Sequence, residues 1–523
     1  MIHPARQRYQ ALQPWQRTAL VAGVVFAAGF VVLAILQRQI TDIAFGDDVY
    51  VFFNYAENLA DGNGWRYQAT DPDPSMRSSP LYTGVLALAY LVDGRMELNA
   101  TLVFMASLAG AAALTAVTLR KLGFAAAGYA AAAFLVVSPW LIAQRGMETV
   151  PMLALVAATV AATVHGRVLL AGLLAGLTVI TRGDAILFAA IVGAVLVWDH
   201  RRIPWRYVLG GLAVGIPWGI AGWIFVGTPI PETLEGKMVQ GQEGYFGPGS
   251  VYLRGVNDVA EYIYGFETWL YALVGLAAVG AVVAVVRWRE LWRYLVPVVG
   301  FAAAHHLMYG LILRVPSYPW YYVPQLAALA VLAGLAVGEA VALVRRHQLV
   351  PRLAGGAVAV LAAVTLWLGA TDVFTGWRFY NYAGAAEWVN ENTPEDSTVA
   401  ITEFGLFGWE VERPIVEYVG LLSDESVDDL RNHDLVAWIE RNEPEYWVVH
   451  EPPWLLWETE ALNQPWFLQA YRAVHEIGPG RDIQTVRIYE RYRTIEEAKA
   501  LVGDEATNPA PAGGVPQAPG GAA

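Results

Sequence analysis

Cysteine is absent from the 523 residues. That excludes disulfides, thiolate metal sites and cysteine nucleophiles, and it leaves the compartment open. Charge is scarce too. Asp, Glu, Lys and Arg make up 15% of the chain, against about a quarter in an ordinary soluble domain, while 56% is hydrophobic. The sequence carries no nucleophile elbow, no phosphate-cradling glycine loop and no dinucleotide fingerprint, so a serine hydrolase or a nucleotide-dependent enzyme has no support. It shows no repeat of fixed period and no basic patch interleaved with aromatics, which leaves nucleic acid aside as a partner.

What the chain has in abundance is segregated apolar sequence. Runs of roughly 15 to 24 residues, rich in Ala, Val, Leu and Gly, recur from Thr18 to Thr371 and match a hydrocarbon core about 30 Å thick. The first, Thr18 to Leu36, has the length of a signal peptide. No small-residue cleavage site follows it and more spans come after, so it reads as a retained helix.

Basic residues set the expected topology, because short basic loops stay cytoplasmic. Arg6, Arg8 and Arg17, Arg120-Lys121, Arg167, Arg201-Arg202 with Arg206, the "RWRELWR" stretch and Arg345-Arg346 can all lie inside. This arrangement predicts spans near 18–36, 97–119, 122–143, 149–164, 168–180, 185–198, 207–226, 267–286, 291–313, 321–344 and 353–370, about eleven. "PLYTGVLALAYLV" (Pro80 to Val92) is too short and is expected not to cross. The N-terminus then lies in the cytoplasm and the C-terminus outside.

The fold expected is therefore a polytopic all-α membrane domain, residues 1–375 with a first outer loop at 37–79, followed by a small α/β extracytoplasmic domain at 376–505. From Gly376 onward ten Lys and Arg face 26 Asp and Glu, so the acidity of the chain belongs to that domain. "STVAIT", "EYWVVH" and "IQTVRIYERY" read as its strands, and "YAGAAEWVNENTP" as a helix stopped by Pro394. The Pro/Gly/Ala-rich tail, 506–523, reads as disordered.

The unusual residues collect in the outward loops. "GDDVYVFFNYAENLADGNGW" places Asp47 and Asp48 at the start of an amphipathic helix, with Val49, Phe52, Phe53, Ala56, Leu59 and Ala60 on one face. One carboxylate suffices to cap a helix, and a second beside it costs repulsion. The alternatives are a general base, or a pair of oxygen ligands for a divalent cation. Glu148 in "QRGMET" and Arg182 and Asp184 in "TRGD" also lie at span ends, where helix-end charges and a local salt bridge compete with functional roles. Arg182, Arg314 and Lys237 are candidates to hold a phosphate. Lys237 sits in a glycine-containing loop with the makings of a lid. His305 and His306 lie inside a span, about 12 Å from its outer end at 1.5 Å per residue, and adjacent residues do not share a helical face, which argues against zinc.

The order "DDVYVFFNYAENLADGNGW…SSPLYTG", "RGMETVPML", "TRGDAILF" and "AEWVNENTPEDSTVAITEFGLFGW…PIVEYVGL" resembles that of GT-C-fold glycosyltransferases. The likeness is greatest to the group containing the actinobacterial terminal β-1,2-arabinofuranosyltransferase. The resemblance implies transfer of a sugar from a polyprenyl-phosphate donor to a glycan, lipid or protein acceptor at the outer face of the plasma membrane, usually with inversion. It implies that Asp47 is the base with Asp48 beside it, that Glu148 is the second-loop acid, and that Arg182 and Asp184 form the "TRPD"-like motif. A divalent cation, Mg or Mn, would fall to Asp48 and Glu148. This chain has Asn54 where relatives commonly carry Arg, and Met76 and Arg77 where they often carry an acid; Arg77 joins His305 and His306 as a cavity candidate. The rival expectation is a transporter or a binding protein for lipid-linked glycans, whose usual internal repeat is not found here.

Overall fold

The computed structural model describes residues 12–38, 45–247, 250–345, 348–371, 380–478 and 485–503. Residues 506–523, with the tail expected there, and Arg6 and Arg8 lie outside them.

Helices occupy every expected span. They are α1 (Pro14–Gln37), α2 (Asp47–Ala60), α3 (Pro80–Asp93), α4 (Met96–Lys121), α5 (Ala125–Val136), α6 (Thr149–Val164), α7 (Val168–Thr181), α8 (Ile186–His200) and α9 (Trp205–Phe225). They continue with α10 (Thr233–Gln242), α11 (Glu267–Val286), α12 (Trp288–Leu313), α13 (Pro319–Val344) and α14 (Leu349–Thr371). Eight, counting Gly183–His200 as one, are long and apolar enough to cross a bilayer. Helices α5, α6 and α7 are shorter apolar helices. Helix α3 starts on Pro80 and stops at Gly94 in the left-handed region (φ 67°), after 14 residues, or about 21 Å, short of a crossing.

The bundle packs through small side chains. Helix α5 lies along α4 and α13, and Ala127, Ala131, Ala330 and Ala333 bring these helices close, as membrane interfaces require where dispersion alone drives packing. Trp223, Val286 and Val360 remain exposed on its outside, where lipid would meet them. Helix α12 is interrupted by two wider turns, Val296–Gly300 and Met308–Leu313. Such turns rotate the residues after them and recur at functional sites.

The C-terminal part holds a five-stranded sheet, β1 (Val399–Ile401), β2 (Ile415–Val416), β3 (Tyr446–Glu451), β4 (Tyr471–Ile477) and β5 (Thr485–Arg491), in the order β2-β1-β3-β5-β4. Strand β1 is parallel to β2 and β3, while β5 is antiparallel to β3 and β4. The stretches "STVAIT", "EYWVVH" and "IQTVRIYERY" hold β1, β3 and β5. Strand β4 was not expected, and its "YRAVHEI" is an edge strand with alternating polar residues and little burial. Helix α15 (Tyr380–Asn392) covers the sheet, and α16 (Phe404–Glu410) follows β1 directly.

Helix α2 differs from its expected form. It is buried not on one face but nearly all round, with Asn54 and Asn58 enclosed as well as Val49, Phe53 and Ala56. Asn58 donates to the Arg66 and Tyr67 carbonyls and Glu57 accepts from the Tyr90 hydroxyl, while Phe53 of the apolar face meets Trp409 of α16 edge to face at 5.6 Å.

Candidate active site

The loops expected to face outward converge at one end of the bundle, beneath the C-terminal domain. Helix α2 begins at Asp47 with Gly46 as its N-cap and no side-chain cap, so neither aspartate serves as the expected cap. Both point away from their own helix end. Asp47 accepts hydrogen bonds from the backbone N–H groups of Gly405 and Leu406, each at 2.8 Å, at the start of α16. Asp48 pairs with the Lys237 ammonium of α10 at 2.9 Å.

These two carboxylates have different surroundings. Burial and the neighbouring Asp48 charge push the Asp47 acid up to about 6, against the opposing pull of the Leu406 and Gly405 amides and of Glu403. Glu403 itself, half-buried and largely stripped of water, faces Asp47 and Asp48 and is held well above the ordinary carboxylate range. Burial works against the Lys237 charge, but Asp48, Tyr321 and Glu148 outweigh it and hold the ammonium up. Lys237 also lies 4.6 Å from the Tyr318 ring centre and 5.1 Å from that of Trp320, two rings stacked on each other. The aromatics of "RVPSYPWYY" thus form a wall beside this cation.

Deeper in, Arg182 joins the Glu148 carboxylate on one side and Asp184 at 2.9 Å on the other. Asp184 also accepts from the Tyr309 hydroxyl at 2.6 Å and faces His305 Nε2 at 3.2 Å. Gln325 donates to His305 Nδ1 at 3.2 Å, which assigns the His305 proton to Nε2, where it bonds Asp184. His306 turns away to lie 5.1 Å from the Tyr252 ring. The two histidines therefore separate as their spacing predicts. Glu148 keeps one buried oxygen, Oε2, without a hydrogen-bond partner.

Some candidates sit elsewhere. Arg314 is exposed in a left-handed conformation (φ 54°) after α12, and no contact links its side chain to the Arg182 group among the described residues. Arg77 is buried as a tie, paired with Asp424 at 2.8 Å and with Glu232 at 3.4 Å, between the first loop, the loop before α10 and the C-terminal domain. The α10 loop is not a glycine-loosened flap. Gln240 donates to the Val419 carbonyl at 2.7 Å, and Tyr245 to the Leu430 carbonyl at 3.0 Å.

A divalent cation does not fit this donor set. Asp48 is committed to Lys237 and Glu148 to Arg182, so each of the two expected ligands is already paired with a cation. Among the described residues no group of three or more His, Asp or Glu is placed to hold a metal.

Sequence reasoning missed Glu403. It is a single acid in "TEFGLFGW", with no motif around it to mark a role. The available signal was Gly405 and Gly408, three apart and so on one helical face, which mark a helix pressed against something. A Cβ at Gly405 would run into the Asp47 backbone, and one at Gly408 into the Tyr67 hydroxyl.

The family model of a domain of unknown function, DUF8728, matches residues 372–494. Among curated proteins none matches the sequence significantly. ArnT from Cupriavidus metallidurans in the apo state superposes with a TM-score of 0.58 at 15% identity, over 92% of this chain and 98% of that one. The same protein bound to undecaprenyl phosphate gives 0.54 at 15% identity, over 89% and 97%. The oligosaccharyltransferase of Archaeoglobus fulgidus, in complex with Zn and sulfate, gives 0.54 at 12% identity, over 81% and 67%. At these identities the likeness is one of fold: the chain has the GT-C-like architecture of ArnT.

Proposed function

We propose that this protein is a multi-pass plasma-membrane glycosyltransferase that moves a sugar from a polyprenyl-phosphate donor to an acceptor hydroxyl at the outer face, with inversion. The observation that carries the reading is the convergence of Asp47, Asp48, Lys237, Glu148, Arg182 and Asp184 from distant segments onto one end of the bundle. The same architecture, in ArnT, was solved with undecaprenyl phosphate bound. The basic clusters at the opposite loop ends support an outward-facing site.

The charges divide the labour. Arg182 is already matched by two carboxylates, so it orients Glu148 and Asp184 and has little charge to offer a phosphate. Lys237 has one carboxylate and an aromatic wall, and it is the group that meets the donor phosphate as Asp48 releases it. The orphaned Glu148 Oε2 is free to accept from a sugar hydroxyl. Asp47, an unusually basic aspartate, takes the proton of the acceptor hydroxyl. The acceptor oxygen forms its bond to the anomeric carbon on the face opposite the phosphate. The bond from that carbon to the phosphate oxygen breaks, and its electron pair leaves with polyprenyl phosphate, whose growing charge Lys237 stabilises. The proton on Asp47 then passes to water.

Purified protein in lipid nanodiscs, given synthetic polyprenyl-phosphate pentoses and hexoses with membrane-extracted acceptors, should release polyprenyl phosphate and form a product of inverted anomeric configuration. Donors bound tightly but never consumed would favour the rival reading, a binding or transport protein.

A further inference from the structure

The C-terminal domain matches a family without assigned function, yet its seam with the first outer loop is built to fine tolerance. The Gly405 and Leu406 amides hold both oxygens of Asp47. The Tyr67 hydroxyl donates to the Phe404 carbonyl at 2.7 Å. Gln68 donates to the Arg413 carbonyl at 2.9 Å and accepts from the Ile415 N–H at 2.8 Å, clasping the edge of β2. Gly405 and Gly408 allow the approach, since neither position has room for a side chain.

This clamp fixes where Glu403 goes. It is the residue before α16, and its carboxyl group lies within hydrogen-bonding reach of the Asp47 carboxylate. Both residues keep part of their surface open, so they line a cleft and not a sealed core. The groups facing Glu403 are Asp47 and Asp48 from α2, Glu458 from within the C-terminal domain, and Tyr318 at the start of α13. None of these is a cation. The nearby Lys237 is engaged by Asp48, and two carboxyl groups within hydrogen-bonding reach of each other and without a cation between them hold a shared proton.

We propose that Glu403 is a positioning residue for Asp47, supplied by the C-terminal domain: its protonated carboxyl donates a hydrogen bond to the Asp47 carboxylate and sets that group's orientation and basicity. This assignment rests on the reading of Asp47 as the base. The pair carries one proton at rest, gains a second from the acceptor hydroxyl as the glycosidic bond forms, and returns it to water through the cleft. The C-terminal domain then supplies part of the wall of the catalytic site.

The test combines three variants. Losing a hydrogen bond to a charged group is equivalent to about one to two pH units, so Glu403→Ala should move the acidic limb of the pH–rate profile up by that amount. Glu403→Gln keeps an N–H donor and should leave the limb within a few tenths of a unit. A role in folding alone would change yield and thermal stability without moving the limb. Infrared difference spectra of wild type and Glu403→Gln, recorded at neutral pH without donor, should show one protonated carboxyl band lost in the variant. An unmoved limb in folded Glu403→Ala, or no carboxyl band lost in Glu403→Gln, overturns the proposal. Asp47→Asn separates the two failures. If it is active, the Asp47 reading falls and takes the proposal with it. If it is inactive and the Glu403→Ala limb is unmoved, the proposal alone falls.

Discussion

Two acidic groupings lie close together at one end of this bundle, and they are built on opposite principles. Glu148 and Asp184 share a buried arginine and take further bonds from Tyr309 and His305. Asp47 and Glu403 share no cation; backbone amides and each other are what they have. The first grouping is organised around a cation and holds the ends of α6, α7 and α8 together. The second is left with an unspent affinity for a proton, and proton affinity is what a base requires. Buried carboxylates near a membrane surface thus sort into scaffold and chemistry by whether a cation faces them.

The comparison can be broken most forcefully at Arg182. Replacing it with Met leaves two buried carboxylates without their cation, which should cost about 3 to 5 kcal/mol and lower the thermal unfolding temperature in detergent markedly. An Arg182→Met protein as stable as wild type but unable to bind donor would move Arg182 from scaffold to substrate. Next in size is Lys237→Met. It removes the cation that meets the donor phosphate, and the donor KM should rise about tenfold while kcat falls by at least as much, because the ammonium also meets the charge that grows on the leaving group. An unchanged donor KM would free Lys237 of the phosphate. The smallest effect belongs to Asp424→Ala at the rim. The Asp424 side chain is 74% exposed but its partner Arg77 is buried and keeps Glu232, so losing this ion pair should cost about 1 to 2 kcal/mol and leave turnover unchanged in the same assays.

How much of this was legible in the sequence differs between the two groupings. The apolar runs announced the helices because each spans or nearly spans the bilayer by itself. Arg182 and Asp184 stand two apart, and their pairing was foreseeable as a local salt bridge. Strand β4 was not, since "YRAVHEI" packs weakly at a sheet edge and its polar residues hide the alternation. Asp47 and Asp48 were legible as odd, but their division of roles was not. It depends on Lys237, almost two hundred residues away, and on a domain more than three hundred residues away. Glu403 was hidden for the same reason: a single acid among Phe, Gly and Leu acquires meaning only when the fold sets it against Asp47. Arg314 shows the converse. A lone arginine at a span end had the right chemistry for a phosphate, and the backbone turned it outward.

The most direct measurement compares release of polyprenyl phosphate by wild type and by Asp47→Asn across pH, with both proteins shown to be folded. Asparagine can still accept one of the two amide hydrogen bonds, so the variant should retain the clamp while losing the base. The account predicts wild-type release that declines as the pH falls through about 6, where Asp47 takes up its proton, and a variant slower by roughly a hundred- to ten-thousandfold. Near-wild-type release by Asp47→Asn would contradict it.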